Sequence, residues 1–534
     1  MYCESRFMSF RWHQVFCQSC VGLLVIVVLG LDASAKIDPD VDYKSIPIYA
    51  GMDTREPPGL ETLKDDPKAY KEAKTALSNK KKMRNENRSK VLGILSNNSE
   101  VGLTGQEALF DAWFESVVFA EMTQTDRESL LALPSLRERF FLDYFERPAK
   151  VTPTEVRDRL LKLTRDRMWA IADDNFHPAV RVNAMLIIGR LNYREGVSIG
   201  ANKSPPLPWS VKDKALGDLM NAAYKDPDQI EEVRIAAMVG LLRHAEMDGQ
   251  RPVDRRNLKT EDRNEIITEM VKLLKSDPPA NRTPEGHAWM QRRAMDIIGG
   301  FRDRGPGNIG LNELERIMAD ESRPSSYRCT AASAYGRINY PSLAEAAPSD
   351  RVKRLAKLAS SVCKAELDRL QAEVDKHEAK IAEKFGKLDG GGRDPRLGPA
   401  ARLRTTVPLD PFKVTSSRRL FKYYLSSIHK SVGTDERSGY RRYSQAEPHK
   451  TFTTDVHNAL TRLVNATDKP KGQESPLTAE ALMTQVGANL SRLEELIADA
   501  EPAPAAAAPP AAPKVGAPGD PSVPAAPAVP PPAP

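Results

Sequence analysis

Between residues 151 and 345 the apolar positions recur at three-and-four spacing in short blocks separated by polar turns, the period of helices with one buried face. Leu216, Leu219 and Ala223 form one such stripe, and Ile266, Met270, Leu273 and Leu274 form another. A second kind of block is apolar nearly all round: Ala184, Met185, Ile187, Ile188 and Leu191 leave little polar surface, as an inner helix requires. The two kinds alternate. They predict helix pairs whose apolar faces are completed only when successive pairs stack.

A fixed phase marks each pair. Asp173, Asp226 and Asp320 close the first block of units one, two and four, and Arg181, Arg234 and Arg328 open the second block eight residues later. Unit three places six extra residues between Asp277 and Gln291. Three residues after each opener stands an Ala (Ala184, Ala237, Ala294, Ala331), small enough to let helices approach. Gly189, Gly299 and Gly336 end units one, three and four, and Leu242 occupies that place in unit two. The Asp side chains are expected to accept backbone N–H bonds at the next helix start.

This pattern resembles the HEAT repeat family, whose units carry an Asp in the turn and a Val-Arg followed by Ala in the second helix. The resemblance implies an all-α, HEAT-like α-solenoid that binds other macromolecules, with the Asp and Arg linking successive units rather than doing chemistry. The anchors Arg181, Arg234, Gln291 and Arg328 are 53, 57 and 37 residues apart. Loops are therefore inserted at 198–209, 245–262 and 278–286, where they are expected to collect on one edge as spacers or contact surfaces.

The flanks extend the helical reading. After an N-terminal extension (36–103), Thr104, Gly105, Gln106 and Glu107 read as a capping box before Leu109, Phe110, Trp113, Phe114, Val117 and Val118. They open an N-terminal helical cap (104–150), completed by a second helix around 136–145. Beyond the repeats (151–345), a long helix (349–389) carries Leu367, Leu370, Val374, His377 and Ile381 as a short coiled-coil-like seam, which either joins a second copy into an oligomer or folds back. Gly390, Gly391 and Gly392 end it. A small C-terminal helical unit (451–499) precedes a Pro/Ala-rich tail (500–534) with 13 of the chain's 41 prolines, predicted to be disordered and extended.

Charge and the N-terminus add compartment and partner classes. Arg6 and Arg11 precede an apolar run at 21–31, and Ala33, Ser34 and Ala35 supply a signal-peptidase pattern. The run spans about 16 Å as a helix, too short for a bilayer core, so residues 1–35 read as a cleaved signal peptide and the product as periplasmic or secreted. An N-terminal membrane anchor, extended back through Cys17 and Cys20, is the alternative. The chain carries +6 overall, while 391–450 holds 13 Lys/Arg against 5 Asp/Glu. There Arg418, Arg419, Lys422, Tyr423 and Tyr424, and again Arg441, Arg442 and Tyr443, interleave cations with aromatics. Such a segment (390–450) is either a basic linker packed onto the helices or a binding segment for an anionic envelope polymer or lipid headgroups; no nucleic acid is expected.

Catalytic chemistry is thin. The eight histidines make no two-His zinc signature, and neither a Gly-x-Ser-x-Gly elbow nor a phosphate-binding loop occurs, so no catalytic residue, cofactor or metal is assigned. His177 before Pro178 reads as a structural turn. Cys329 and Cys363 remain after cleavage; one bridge between them is the alternative to the buried free thiol expected at Cys329 inside a repeat helix. The reading is an exported, non-enzymatic protein-binding scaffold of the bacterial cell envelope. The alternative is an enzyme, or enzyme subunit, acting on an anionic polymer held by the basic aromatic segment.

Overall fold

The computed structural model describes residues 42–386, 409–468 and 478–500, except for 58, 97–101, 150, 195–197, 200–201, 204–214, 281, 341, 343–345, 437, 446 and 448. The expected signal peptide, the Gly390–Gly392 break and the expected disordered tail after Ala500 lie outside the described residues. The fold is all-α, with one two-residue antiparallel ladder, Ser198–Ile199 against Asn202–Lys203, in the first insertion. The described residues form two compact units divided between Gly310 and Leu311, so the fourth repeat shares a unit with the long helix and the C-terminal helices.

In the first unit, α1 (Pro67–Leu95) starts where Asp66 accepts from the Lys68 and Ala69 backbone N–H groups, with Pro67 in the first turn. No periodic apolar stripe announced this helix inside the expected extension. Next come α2 (Glu107–Trp113) and α3 (Arg127–Phe141, N-capped by Asp126), each running on into a π turn, Phe114–Val118 and Leu142–Glu146. Gln106 stands at the α2 N-cap and no side chain caps that end, so the expected box at Thr104 does not form; Gly105 turns the chain at φ 76° instead. Behind it Phe110, Phe114, Phe119, Phe140, Tyr144 and Phe145 interlock as ring pairs 5.0–6.4 Å apart, the core of the helical cap.

Three helix pairs follow: α4 (Thr154–Asp173) with α5 (Pro178–Arg190), α6 (Ala215–Met220, continuing as the π turn Asn221–Lys225) with α7 (Glu231–Gly249), and α8 (Thr260–Lys275) with α9 (Pro284–Phe301). The second helices stack in order, α3 on α5, α5 on α7 and α7 on α9. Ala184, Ala237 and Ala294 are buried there. The closest approaches are at glycine. A Cβ on Gly189 would stand 2.7 Å from Gly240 Cα, and one on Gly249 would stand 2.0 Å from the Gly300 carbonyl oxygen. The glycine of unit two is thus Gly240, two residues before Leu242, and Gly300 rather than Gly299 makes the contact of unit three.

The first helices are joined differently. Arg159 on α4 donates to Asp111 on α2 (2.8 Å), Arg165 on α4 to Asp218 on α6 (2.6 Å), and Lys225 pairs with Glu265 on α8 (2.7 Å). One layer is therefore sewn by apolar backbone contact and the other by half-buried ion pairs.

In the second unit, α10 (Ile309–Ala319) leads to α11 (Ser325–Tyr335), α12 (Pro348–Gly386), α13 (Pro411–Val432), α14 (His449–Ala466) and α15 (Ala479–Asp499). Asp410 and Thr478 cap α13 and α15. The expected basic linker is a well-formed helix over 411–432. It packs on α11, where Gly336 lies against Ser431 and the Ser431 hydroxyl donates to the Ala332 carbonyl (2.8 Å). Along α12, Leu370 and Val374 are buried within the unit, where the helix packs on α13, α14 and α15.

Candidate functional site

The repeated Arg has a definite task. Arg181 Nε donates to the Ala172 carbonyl (2.9 Å) at the end of α4. Arg234 reaches the carbonyls of Gln229 (2.9 Å) and Asp226 (2.6 Å), and Arg328 that of Met318 (2.9 Å) at the end of α10. Gln291 serves in unit three, its amide donating to Leu273 (3.0 Å) and Ser276 (3.1 Å) across the longer turn. Arg181, Gln291 and Arg328 close C-terminal carbonyls of the first helix in their own pair, where a cation or donor also meets the negative end of the helix dipole, while Arg234 closes the turn that follows it. Links to the next layer come second: Arg181 also donates to Gln229 (2.8 Å), and Arg328 to the Ser361 hydroxyl (3.0 Å).

The Asp residues stay local. Asp226 accepts from the Asp228 backbone (2.9 Å) and Asp320 from that of Ser322 (3.1 Å). At the first turn Asp174, not Asp173, accepts from Asn175 N (2.7 Å), and it pairs with Lys44 in the segment before α1. His177 is a cap: its Nδ1 accepts from Ala179 N–H (3.2 Å), and burial lowers its pKa.

The turns inside pairs share one edge, because Arg181 bonds Gln229 and Arg282 bonds Glu231 (2.8 Å) across neighbouring pairs. The insertion at 278–286 belongs to that edge. Those at 198–209 and 245–262 fall between pairs, at the other end of the second helices, and α7 extends to Gly249 into the latter. The insertions thus divide between two edges.

The basic aromatic segment divides as well. Tyr424 is buried with Phe421 and Leu425 on the packed face of α13. The second cluster, in the short helix Gly439–Tyr443, is turned inward. Tyr440 bonds Tyr340 hydroxyl to hydroxyl (3.0 Å), the Tyr443 hydroxyl accepts from Tyr340 N–H (2.9 Å), and Arg442 donates to the Ile338 carbonyl (2.8 Å) while lying over the Tyr443 ring. Arg441 faces His457 Nε2 at 3.5 Å. Lys422 pairs with Asp468. Arg419 and Tyr423 remain exposed and Arg418 half-exposed. The candidate residues therefore do not form one surface: Tyr424, Arg442 and Tyr443 serve packing.

A second basic helix escaped the sequence reading. α1 carries nine Lys/Arg against two Asp/Glu and buries only Leu77, Val91, Ile94 and Leu95. Its density of Lys was the available signal; Arg84 and Arg88 are tied to Glu121 and Asp143.

Titratable groups elsewhere are few. His244 is fully buried, neither ring nitrogen has a partner among the described residues, and burial pushes its pKa down to about 3. His429 Nε2 lies 3.0 Å from His457 Nδ1, and burial together with His457 and Arg441 lowers His429 to about 4. Cys329 and Cys363 are buried free thiols, both pushed up to about 12 by burial. An open polar groove of about 630 Å³ in the second unit is lined by Arg328, Lys357, Lys364, Glu321 and Glu494. Among the described residues no group of three or more His, Cys, Asp or Glu could hold a metal, and no helix is long and apolar enough to cross a membrane. Comparison with protein-family models, curated proteins and solved structures finds no match to this chain.

Proposed function

We propose that the protein is an exported, non-enzymatic scaffold of the bacterial cell envelope that holds a protein partner on HEAT-like stacked helix pairs. The observation that carries this reading is the stack of second helices α3, α5, α7 and α9, fixed by backbone contact at Gly189–Gly240 and Gly249–Gly300. Packing of that closeness leaves the pairs little freedom to shift, and it presents turns and insertions at fixed intervals along two edges, the arrangement a recognition surface needs. The insertion after α7 displays Val253, which is 74% exposed, between Pro252 and Asp254, an apolar side chain placed for a protein contact.

The test is affinity capture of the tagged, processed chain from envelope extract, followed by mass spectrometry. One stoichiometric protein partner is expected, lost on Val253→Asp with Arg255→Glu while the melting curve is unchanged. Recovery of no protein, together with breakdown of purified anionic envelope polymer by the chain, would replace the scaffold with the enzyme reading.

A further inference from the structure

We propose that the solvent face of α13 is a docking stripe for an anionic lipid bilayer. Phe412, Arg419, Tyr423 and Lys430 stand at i, i+7, i+11 and i+18, so at about 100° per residue all four fall within about 20° of one line along the helix. That line is opposite the buried stripe of Val414, Phe421, Leu425 and Ile428 and runs about 27 Å. Phe412 is 75% exposed and Tyr423 57%, two large rings left in water at the centre of a polar face. Arg419 and Lys430 are exposed and form no ion pair among the described residues. Of the cations off this line, Lys413 is neutralised by Glu373 (2.5 Å) and Lys422 by Asp468, and Arg418 is only half-exposed. The exposed, unpaired cations of the helix therefore sit on the same line as the rings.

A cylinder meets a plane along one line, and the chemistry on this line is that of a lipid interface. Arg and Lys meet phosphate, Tyr keeps its hydroxyl among headgroups, and Phe has only hydrocarbon to offer the acyl boundary. A polysaccharide would ask for acceptors and amides to read its hydroxyls. α13 contains no Asp, Glu, Asn or Gln, and the Ser427 hydroxyl is already given to the Tyr423 carbonyl (3.0 Å). This inference stands whether or not the scaffold reading does.

Co-sedimentation of the full chain with vesicles tests it, comparing phosphatidylglycerol-containing with pure phosphatidylcholine bilayers. Any partition through the apolar run at 21–31 contributes to both, so the difference isolates the charged face. Binding is expected to be roughly tenfold or more stronger to the anionic vesicles and to fall steeply with salt. Arg419→Glu with Lys430→Glu should remove that excess, and Phe412→Ser with Tyr423→Ser should reduce it roughly tenfold, with circular dichroism and melting unchanged. Lys81→Glu with Lys82→Glu, the same charge change on α1, should leave it intact. Equal binding to both vesicle types, equal loss through the α1 variant, or binding to a soluble anionic polysaccharide with none to vesicles would each overturn the proposal.

Discussion

The first unit is built from parts used again and again, and the second from parts used once. In α5, α7 and α9 the same glycine contact and the same grip on the preceding helix recur, with an ion pair for each step along the first helices. The second unit keeps one such grip, at Arg328, and brings α11 against α13 at Gly336 on Ser431. Its remaining order comes from a buried phenol network: Tyr335 donates to Glu315 (2.8 Å), Arg351 donates to Tyr335 (3.1 Å) and lies over the Tyr340 ring, and Tyr440 closes the group. Repetition spreads stability over many small equivalent contacts. A singular network concentrates it in groups that must all be satisfied together.

The largest effect should come from the glycine contacts. Gly249→Ala forces a methyl into the Gly300 carbonyl, and a loss of about 3 kcal/mol is expected, visible as a drop of about 10 °C in the first unit's transition by calorimetry. Ala237→Glu, which buries a charge at a fully enclosed position, should be as severe. If either leaves melting unchanged, the backbone contact is not what fixes the stack.

Next in size is the helix-end grip. Arg328→Leu strands the Met318 carbonyl and should cost about 2 kcal/mol, whereas Gln291→Leu in the first unit should cost as much by freeing Leu273 and Ser276. Chemical denaturation of both variants sharpens the comparison, since unequal losses would mean that the repeated motif does unequal work in the two units.

Acid separates the units further. His244 has its folded pKa depressed to about 3, so the unfolded chain takes up a proton first; stability is complete above pH ~6.5 and is lost as pH falls toward the folded value. His244→Leu should flatten that loss in the first unit, by about 2 kcal/mol near pH 5, while the acid loss of the second unit, where His429 is depressed to about 4, persists. Urea melts at pH 7.5 and pH 5 provide the measurement. Smallest is Tyr440→Phe, expected to cost the second unit about 1 kcal/mol through the lost Tyr340 bond.

What could be read in advance follows the same division. The phase of Asp173, Arg181 and Ala184 was visible because the Arg follows a turn of the same length in three of the four units, and the sequence repeats that spacing. The stacking was only half visible: Gly240 contacts Gly189 but is two residues out of phase with the other glycines, since contact between neighbouring backbones depends on crossing geometry rather than on spacing within a helix. α1 was hidden because a helix that buries four residues of 29 has almost no stripe to detect. In α13 the cations around Phe421 and Tyr424 masked a buried face that the apolar positions alone would have drawn.

The grip at each helix end has a bearing on how such a chain can change length. Where the gripped carbonyls belong to the first helix, as at Arg181, Gln291 and Arg328, lengthening the turn beyond them removes none of those bonds; doubling a flexible loop costs only about 0.6 kcal/mol. Unit three, with its six extra residues, still closes Leu273 and Ser276 through Gln291. Turns of that kind are therefore sites where foreign sequence can be grafted while the register of the helices on either side is retained.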